Sequence, residues 1–266
     1  MLSYRATLAV PTETVARVSR WIQAHRRRVD TRAWQRAATS WTQTVLVLRW
    51  LIEGTQLALL ARDARVSQAT AYRYLHEGID VIAAQAPELT EVLTAQRHAG
   101  AAFVALDGTL LETTRSAARS EAGHDLWYSG KHHRHGGNIQ VVTDHTGFPI
   151  WTSPVEPGST HDIAAARIHA LPALYRAASL GLPTLADKGY TGAGIGIHVP
   201  FKGQNLGVKN QVRNQLLTGL RAPCERANAL LKSRFKALRR ITMCPWRIGH
   251  ITAAALVILT MHRGRW

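Results

Sequence analysis

Three carboxylates in this chain are placed where they can do metal chemistry. Asp107 closes the apolar run FVALD, and Asp187 closes the run PTLAD ahead of Lys188-Gly189-Tyr190. Each is expected at the end of a strand, with its carboxylate at the carboxyl edge of a sheet. Glu225 is the only acid between Lys188 and Trp266, a stretch with 14 basic residues. In such surroundings it is expected to be ionised at neutral pH. Oxygen ligands from a few residues, completed by water and phosphate, suit Mg2+ or Mn2+ and suit zinc poorly. Two such ions about 4 Å apart activate the attacking oxygen and stabilise the leaving one in an in-line displacement at phosphorus. That is phosphodiester chemistry, and it requires three side chains distant in sequence to converge. Taken singly, each acid has a plainer reading: Asp107-Gly108 as a turn, and Glu225 as a first-turn acid favoured by the helix dipole.

The helix expected to carry Glu225 begins near Pro223, a favoured first-turn residue, and runs through CERANALLKSRFKALRR. Its buried stripe is Ala227, Leu230, Leu231, Phe235 and Leu238, which leaves Glu225, Asn228, Lys232 and Lys236 on an exposed one. Lys131, Lys188, Lys202, Arg221 and Lys232 are candidate phosphate clamps, giving salt-sensitive affinity without base preference. A solvated surface charge is the alternative for each. The histidines His132, His133 and His135, with His161 and Asp162, offer imidazoles for zinc or for a general base. Their H-H-x-H spacing is not a helical pair, however. A DNA-contacting role and plain surface histidines stand beside the zinc reading.

Two kinds of sequence pattern must position these groups. Residues 12–98 read as helical, with apolar positions at helical spacing and few Gly or Pro. Within them an amphipathic helix starting near Thr55 carries Leu57, Leu60 and Ala61 on one side. A turn follows at Ala64 to Val66, and Ser67 is placed to cap a second helix. That helix puts Ala71, Tyr74, Leu75 and Ile79 inward, and Gln68, Thr70, Tyr72 and Arg73 outward. The pattern is helix-turn-helix, with Arg65, Ser67, Gln68, Thr70, Tyr72 and Arg73 facing DNA. Arg65 stands near the place where glycine is frequent, and an ordinary helical hairpin is the other reading.

The pattern changes between Arg97 and Gly100. AAFVALDGTLLETT gives an apolar run ending in Asp-Gly and then a second candidate strand. NIQVVTDHTGFPIWTSPVEP gives two more, split by a turn at Asp144 to Gly147. A helical segment from Asp162 to Ser179, the strand PTLADKGY, a strand IHVPFK and two helices complete an α/β domain. The division is therefore an all-α module over 1–98 and a catalytic α/β domain over 101–266.

Charge follows the same division. The formal net charge of +16 is unevenly spread. Residues 1–100 hold 13 basic against 8 acidic groups, 101–187 hold 6 against 8, and 188–266 hold 14 against 1. A local excess of this kind suits a polyanion; a generally Arg-rich composition is the bland alternative. With 46% hydrophobic residues the chain has ample material for a core and is not of disordered composition. Cys224 and Cys244 lack zinc-type spacing and read as reduced, buried thiols of a cytosolic protein. The N-terminal MLSYRATLAVP is too short an apolar run for a signal peptide, and Ile251 to Met261 is about half a bilayer span.

At the acids a family resemblance becomes specific. LDGTLLETT, WYSGKHHRHGGNIQVVTDHTGFPIWTSPVEPGSTHD, LADKGYTG and PCERANALLKSRFKALRR resemble the successive blocks of the DDE-superfamily endonuclease domain. That domain is found in bacterial insertion-sequence transposases, here of IS-five-like type, and is similar to that of PIF/Harbinger elements. The likeness spans residues 101 to about 262, with 38 residues between Asp187 and Glu225. The preceding segment resembles the helix-turn-helix region common in front of it. The resemblance implies an RNase H-like fold, with Asp107, Asp187 and Glu225 as the catalytic and metal-binding triad and two Mg2+ or Mn2+ ions. It also implies double-stranded DNA as substrate, as transposon ends and as target, and action as a homo-oligomer in the bacterial cytoplasm, on the nucleoid. A catalytically silent DNA-binding regulator or domesticated transposase is the alternative, and a zinc hydrolase built on the histidines a third class.

Overall fold

The computed structural model describes residues 8–263. Residues 1–7 and 264–266, which fall within the expected bounds 1–98 and 101–266, lie outside the described residues, as does most of the N-terminal apolar run. The first part is helical: α1 (Thr12–Arg28), α2 (Ser40–Glu53), α3 (Leu57–Asp63), α4 (Gln68–Ala83) and α5 (Leu89–His98). Local chemistry explains several boundaries. Thr39 caps α2 by accepting from the Thr42 amide at 3.1 Å, and Gly54 ends it with φ +66°. Between α3 and α4, Arg65 adopts φ 54°, a left-handed conformation that glycine takes more easily. Ser67 then caps α4 through the Thr70 amide at 3.1 Å.

From Gly100 the chain enters a mixed sheet. Its strands are β1 (Val104–Glu112), β2 (Tyr128–Ser129), β3 (Arg134–Thr143), β4 (Pro149–Thr152) and β5 (Glu156–Pro157). After α6 (Asp162–His169) and α7 (Leu171–Ser179) come β6 (Thr184–Ala186) and β7 (Ile197–His198). The helices α8 (Val208–Arg221), α9 (Arg226–Arg234) and α10 (Ile248–Met261) finish the described chain. Across the sheet the order runs β4-β3-β1-β6-β7, while β2 and β5 pair with the start of β3. The β1–β3 and β3–β4 pairs are antiparallel, and β6 and β7 run parallel to β1. This mixed sheet with helices is compatible with an RNase H-like domain.

Several sequence expectations change. Asp107-Gly108 is not a turn: β1 runs straight through it, with Asp107 opposite Val141 and Gly108 opposite Gln140. Two expected strands are thus one, and Asp107 sits in mid-strand. The single helix expected over Asp162 to Ser179 is divided at Ala170, because Pro172 lies in the first turn of α7 and cannot donate into a continuous helix. Three helices follow β7 where two were expected, α8 being the addition. The helix after Glu225 stops at Arg234, and Phe235, fully buried, leaves helical geometry at φ −116°, ψ 94°. Only Ile197–His198 of the expected strand IHVPFK pairs. Cys224 is buried as expected, whereas Cys244 is exposed, ahead of Pro245 on the approach to α10.

The hydrophobic core crosses the change of pattern at Gly100. One apolar cluster joins Val18, Leu48, Leu75 and Ile79 to Leu111 and Ile139 of the sheet and to Phe235, Ile251 and Ile258. Arg247 and His250 reinforce the α4–α10 contact, both reaching Asp80 Oδ1, at 2.8 and 2.6 Å. On the other sheet face, Leu89 and Leu93 of α5 pack with Val104, Leu106, Val142, Leu174 and Ala186. Burying each such aliphatic side chain contributes about 1.5–3 kcal/mol. The helical segment is therefore wrapped onto both faces of the sheet.

Candidate active site

The sheet brings two of the acids side by side. Strand β6 is in parallel register with β1: Val104 beside Thr184, Ala105 beside Leu185, Leu106 beside Ala186. The next step of that register sets Asp107 beside Asp187, where β6 ends and β1 continues alone. Below them, Ala105 and Leu185 form a small apolar cluster with Leu217 of α8 and with Cys224. Residues two apart on a strand share a face, so α8 and the Cys224 loop are seated directly under the two aspartates.

That seat also places Glu225. The Cys224 thiol donates to the Asp144 carbonyl at 3.6 Å. Gly147, at φ +83°, lies so close to the Pro223 carbonyl oxygen that an added Cβ would stand 2.0 Å from it. The β3–β4 turn thus grips the two residues before Glu225. Asp144 holds this turn by accepting from the Thr146 and Phe148 amides at 2.9 and 3.0 Å, and from Arg263 at 2.5 Å. Glu225 is exposed and takes the N-cap position of α9 without a side-chain capping bond.

Asp107, Asp187 and Glu225 line one open cleft of about 460 Å³, together with Lys188, Pro200, Asn214, Thr218 and Arg221. They share its walls. Among the described residues no three His, Cys, Asp or Glu side chains form a ready-made metal cage. The electrostatics nevertheless fit a hard cation. The Asp107 carboxyl is pushed up to about 6, first by burial and then by the charge of Asp187, with Arg221 opposing and Asp162 adding. Neighbouring carboxylates that a single arginine only partly offsets are a donor set that a hard dication relieves. Asp187 accepts from the Gly189 amide at 2.9 Å, which fixes its turn.

The basic candidates are distributed unequally. Lys188 and Arg221 line the acid cleft. Arg221 is buried, with its Nε unpaired. Lys131 donates to Asp162 at 2.8 Å and faces both aspartates electrostatically. Lys232, expected on an exposed stripe, is drawn inward and donates to the Leu110 carbonyl at 3.0 Å; burial lowers its basicity. Lys202 is exposed in the loop after β7 and does not line the cleft. On α4, Gln68, Tyr72 and Arg73 are exposed and Thr70 partly so, while Ala71, Tyr74, Leu75 and Ile79 are buried. Arg65 and Ser67 are exposed at the start of that surface.

The histidines do not gather into a metal site. His135 Nε2 lies 2.9 Å from Asp125 Oδ2. His132 and His161 line a separate pocket of about 310 Å³ with Tyr128, Lys131 and Asp162. Sequence reasoning passed over Asn228, whose Nδ2 donates to Asp107 Oδ2 at 2.9 Å. Its signal was present, because Asn228 shares a helix face with Glu225. Asn214 and Thr218 of α8 carried none.

A family profile described as DDE superfamily endonuclease matches residues 106–260, a span that contains all three acids. Neither the curated proteins nor the solved structures compared with the chain gave a match. On this match over more than half its length, the chain belongs to the DDE superfamily of endonucleases.

Proposed function

We propose that this endonuclease is a DNA transposase of the IS-five-like, PIF/Harbinger-related kind, with Asp107, Asp187 and Glu225 as its catalytic carboxylates. The observation that carries the reading is that acids 38 and 118 residues apart line one cleft beside Arg221 and Lys188. The three carboxylates would hold two Mg2+ or Mn2+ ions. Bound there, such ions supply Lewis acidity to the attacking and leaving oxygens of a phosphodiester.

The chain's own residues prepare that reaction. Asn228 fixes the rotamer of Asp107, and the Gly189 amide fixes that of Asp187. Arg221 and Lys188, which line the cleft, take the non-bridging oxygens of the phosphate. Hydrolysis at a transposon end breaks one phosphorus–oxygen bond and frees a 3′-hydroxyl. In the joining step that hydroxyl displaces a target 3′-oxygen, so one phosphodiester forms as another breaks. Duplex ends are read by the helix-turn-helix of α3 and α4 through Gln68, Thr70, Tyr72 and Arg73, with Arg65 and Ser67 at its entry. Lys131, Lys202 and Lys232 add backbone contacts. A homo-oligomer on bacterial nucleoid DNA brings paired ends together.

The test uses purified protein, Mg2+ and linear DNA carrying the inverted repeats that flank its gene. The expected products are free 3′-hydroxyl ends at the repeats and joined strands, both lost in Asp107→Asn. Sequence-specific binding without any cleavage would replace this reading with that of a DNA-binding regulator.

A further inference from the structure

Behind Asp107, on the opposite face of β1, lies a buried polar chain that the reaction above does not use. Tyr190, fully buried, donates its hydroxyl to Gln140 Oε1 at 2.6 Å. Gln140, equally buried, donates Nε2 to Asn138 Oδ1 at 2.9 Å. Asn138 donates Nδ2 to Asp162 Oδ1 at 2.8 Å and to the Thr160 carbonyl at 3.0 Å. Lys131 donates to the other oxygen of Asp162 at 2.8 Å.

The direction of every bond in this chain is set from one end. The Asp162 carboxylate and the Thr160 carbonyl can only accept, so the amide nitrogen of Asn138 must face them. Its oxygen then faces Gln140, whose nitrogen must turn toward it. The Gln140 oxygen faces Tyr190, whose hydroxyl must donate. A single half-buried carboxylate thus orients two buried amides and a buried phenol, in a low-dielectric setting where each bond strengthens the next.

One end of the chain adjoins Asp187, and the other, Lys131, lines the pocket that holds Asp162 and His132. Tyr190 ends the short turn Lys188–Tyr190, which begins at Asp187 and is capped by its carboxylate. At the other end Lys131 faces Asp187 and Asp107 electrostatically. The chain is also pressed against β1, where a Cβ on Gly108 would stand 2.4 Å from Asp162 Oδ1. Glycine beside Asp107 is what lets Asp162 approach.

We propose that Asp162 is a positioning residue of this endonuclease: through Asn138, Gln140 and Tyr190 it fixes the turn that aims Asp187, and through its second oxygen it holds Lys131 in place. This rests on the reading of Asp187 as a site carboxylate.

The test is a double-mutant cycle on Mn2+ affinity of the full chain, measured by calorimetry without DNA. Asp162→Asn and Tyr190→Phe each weaken Mn2+ binding by about tenfold, the scale of losing an outer-shell partner of a metal ligand. The double variant is little worse than either single one, although Asp162 and Tyr190 are linked only through two amides. Lys131→Met does not weaken Mn2+ binding and raises KM for DNA. Should Asp162→Asn melt at the assay temperature, Tyr190→Phe, which removes one oxygen atom, decides alone. Wild-type Mn2+ affinity in folded Tyr190→Phe, with Asp187→Asn abolishing it, overturns this inference and leaves the site intact. Unchanged affinity in Asp187→Asn overturns the site reading itself.

Discussion

The side-chain amide of Asn228 donates to Asp107 Oδ2 at 2.9 Å across 121 residues of chain. The bond joins the first strand of the sheet to the helix that Glu225 begins, so a strand acid and a helix acid are held by one contact. Loss of that contact should act on the metal site more than on the fold. Asn228→Ala is expected to lower the cleavage rate and Mn2+ affinity by about tenfold. Asn228→Asp, which sets a further carboxylate against Asp107, should be worse than Asn228→Ala. Single-turnover cleavage and calorimetry on both variants check the order.

Asp107 gives a pH dependence with a definite sign. Burial and Asp187 push its carboxyl up to about 6, so without metal it holds a proton that the unfolded chain would release at lower pH. The metal-free fold therefore loses stability as pH rises from about 4 through 6, where the native state gives up that proton. Metal binding has the opposite preference, because a carboxylate must be deprotonated to ligate. Mn2+ affinity should fall about tenfold per pH unit below 6, and Asp107→Asn should remove that slope. Calorimetry between pH 5 and 7.5 measures it; a flat profile would count against Asp107 as a ligand.

Asp144 carries the reverse sign. Its burial pushes the carboxyl up, but bonds from Thr146, Phe148 and Arg263 outweigh this and hold it below the ordinary carboxylate range. A depressed folded value means that the stabilisation is complete above the unfolded value and disappears as pH falls through the folded one. Asp144→Ala should cost roughly 3 kcal/mol at pH 7, the scale of breaking a buried, hydrogen-bonded charge. Near pH 3 the difference from wild type should shrink. Urea unfolding at the two pH values reads it, and activity should fall too, since the same turn grips Pro223 and Cys224 ahead of Glu225.

On α4 the exposed side chains should separate into two classes. Arg73→Ala is expected to reduce the slope of log affinity against log salt by about 0.9, the share of one phosphate contact on duplex DNA. Gln68→Ala should instead relax sequence preference, costing about 1–3 kcal/mol on the preferred site and little elsewhere. Binding titrations at several salt concentrations, with specific and scrambled duplexes, separate them. Equal losses on both duplexes for Gln68→Ala would contradict base reading by this helix.

The legible part of this site was the part written in local pattern. Asp107 and Asp187 follow apolar runs, and Glu225 is isolated among bases, so each announced itself without knowledge of the fold. The register that sets the two aspartates side by side is a tertiary fact, and so is the path of β1 through Asp107-Gly108, where pairing with β3 overrides the turn tendency of the dipeptide. Helix α8 escaped because its apolar residues Val208, Val212, Leu216 and Leu220 are exposed and Leu217 alone is buried hydrophobic; its stripe does not mark a core. The network of Asp162, Asn138, Gln140 and Tyr190 was illegible for a different reason: its members come from three separate segments, and only the folded sheet brings them together. The change of pattern at Gly100 was visible, but not that α2, α4 and α10 would share one core across it.

The central claim is that Asp107, Asp187 and Glu225 act as one metal-dependent unit. Its most direct measurement is cleavage of flanking-repeat DNA in Mg2+ by wild type, Asp107→Asn, Asp187→Asn and Glu225→Gln, each confirmed folded by its melting curve. The account predicts that every single replacement lowers the rate by at least about a thousandfold, and that combining two lowers it little further, as for residues acting together. Wild-type cleavage by folded Glu225→Gln, with the two aspartate variants inactive, would contradict it.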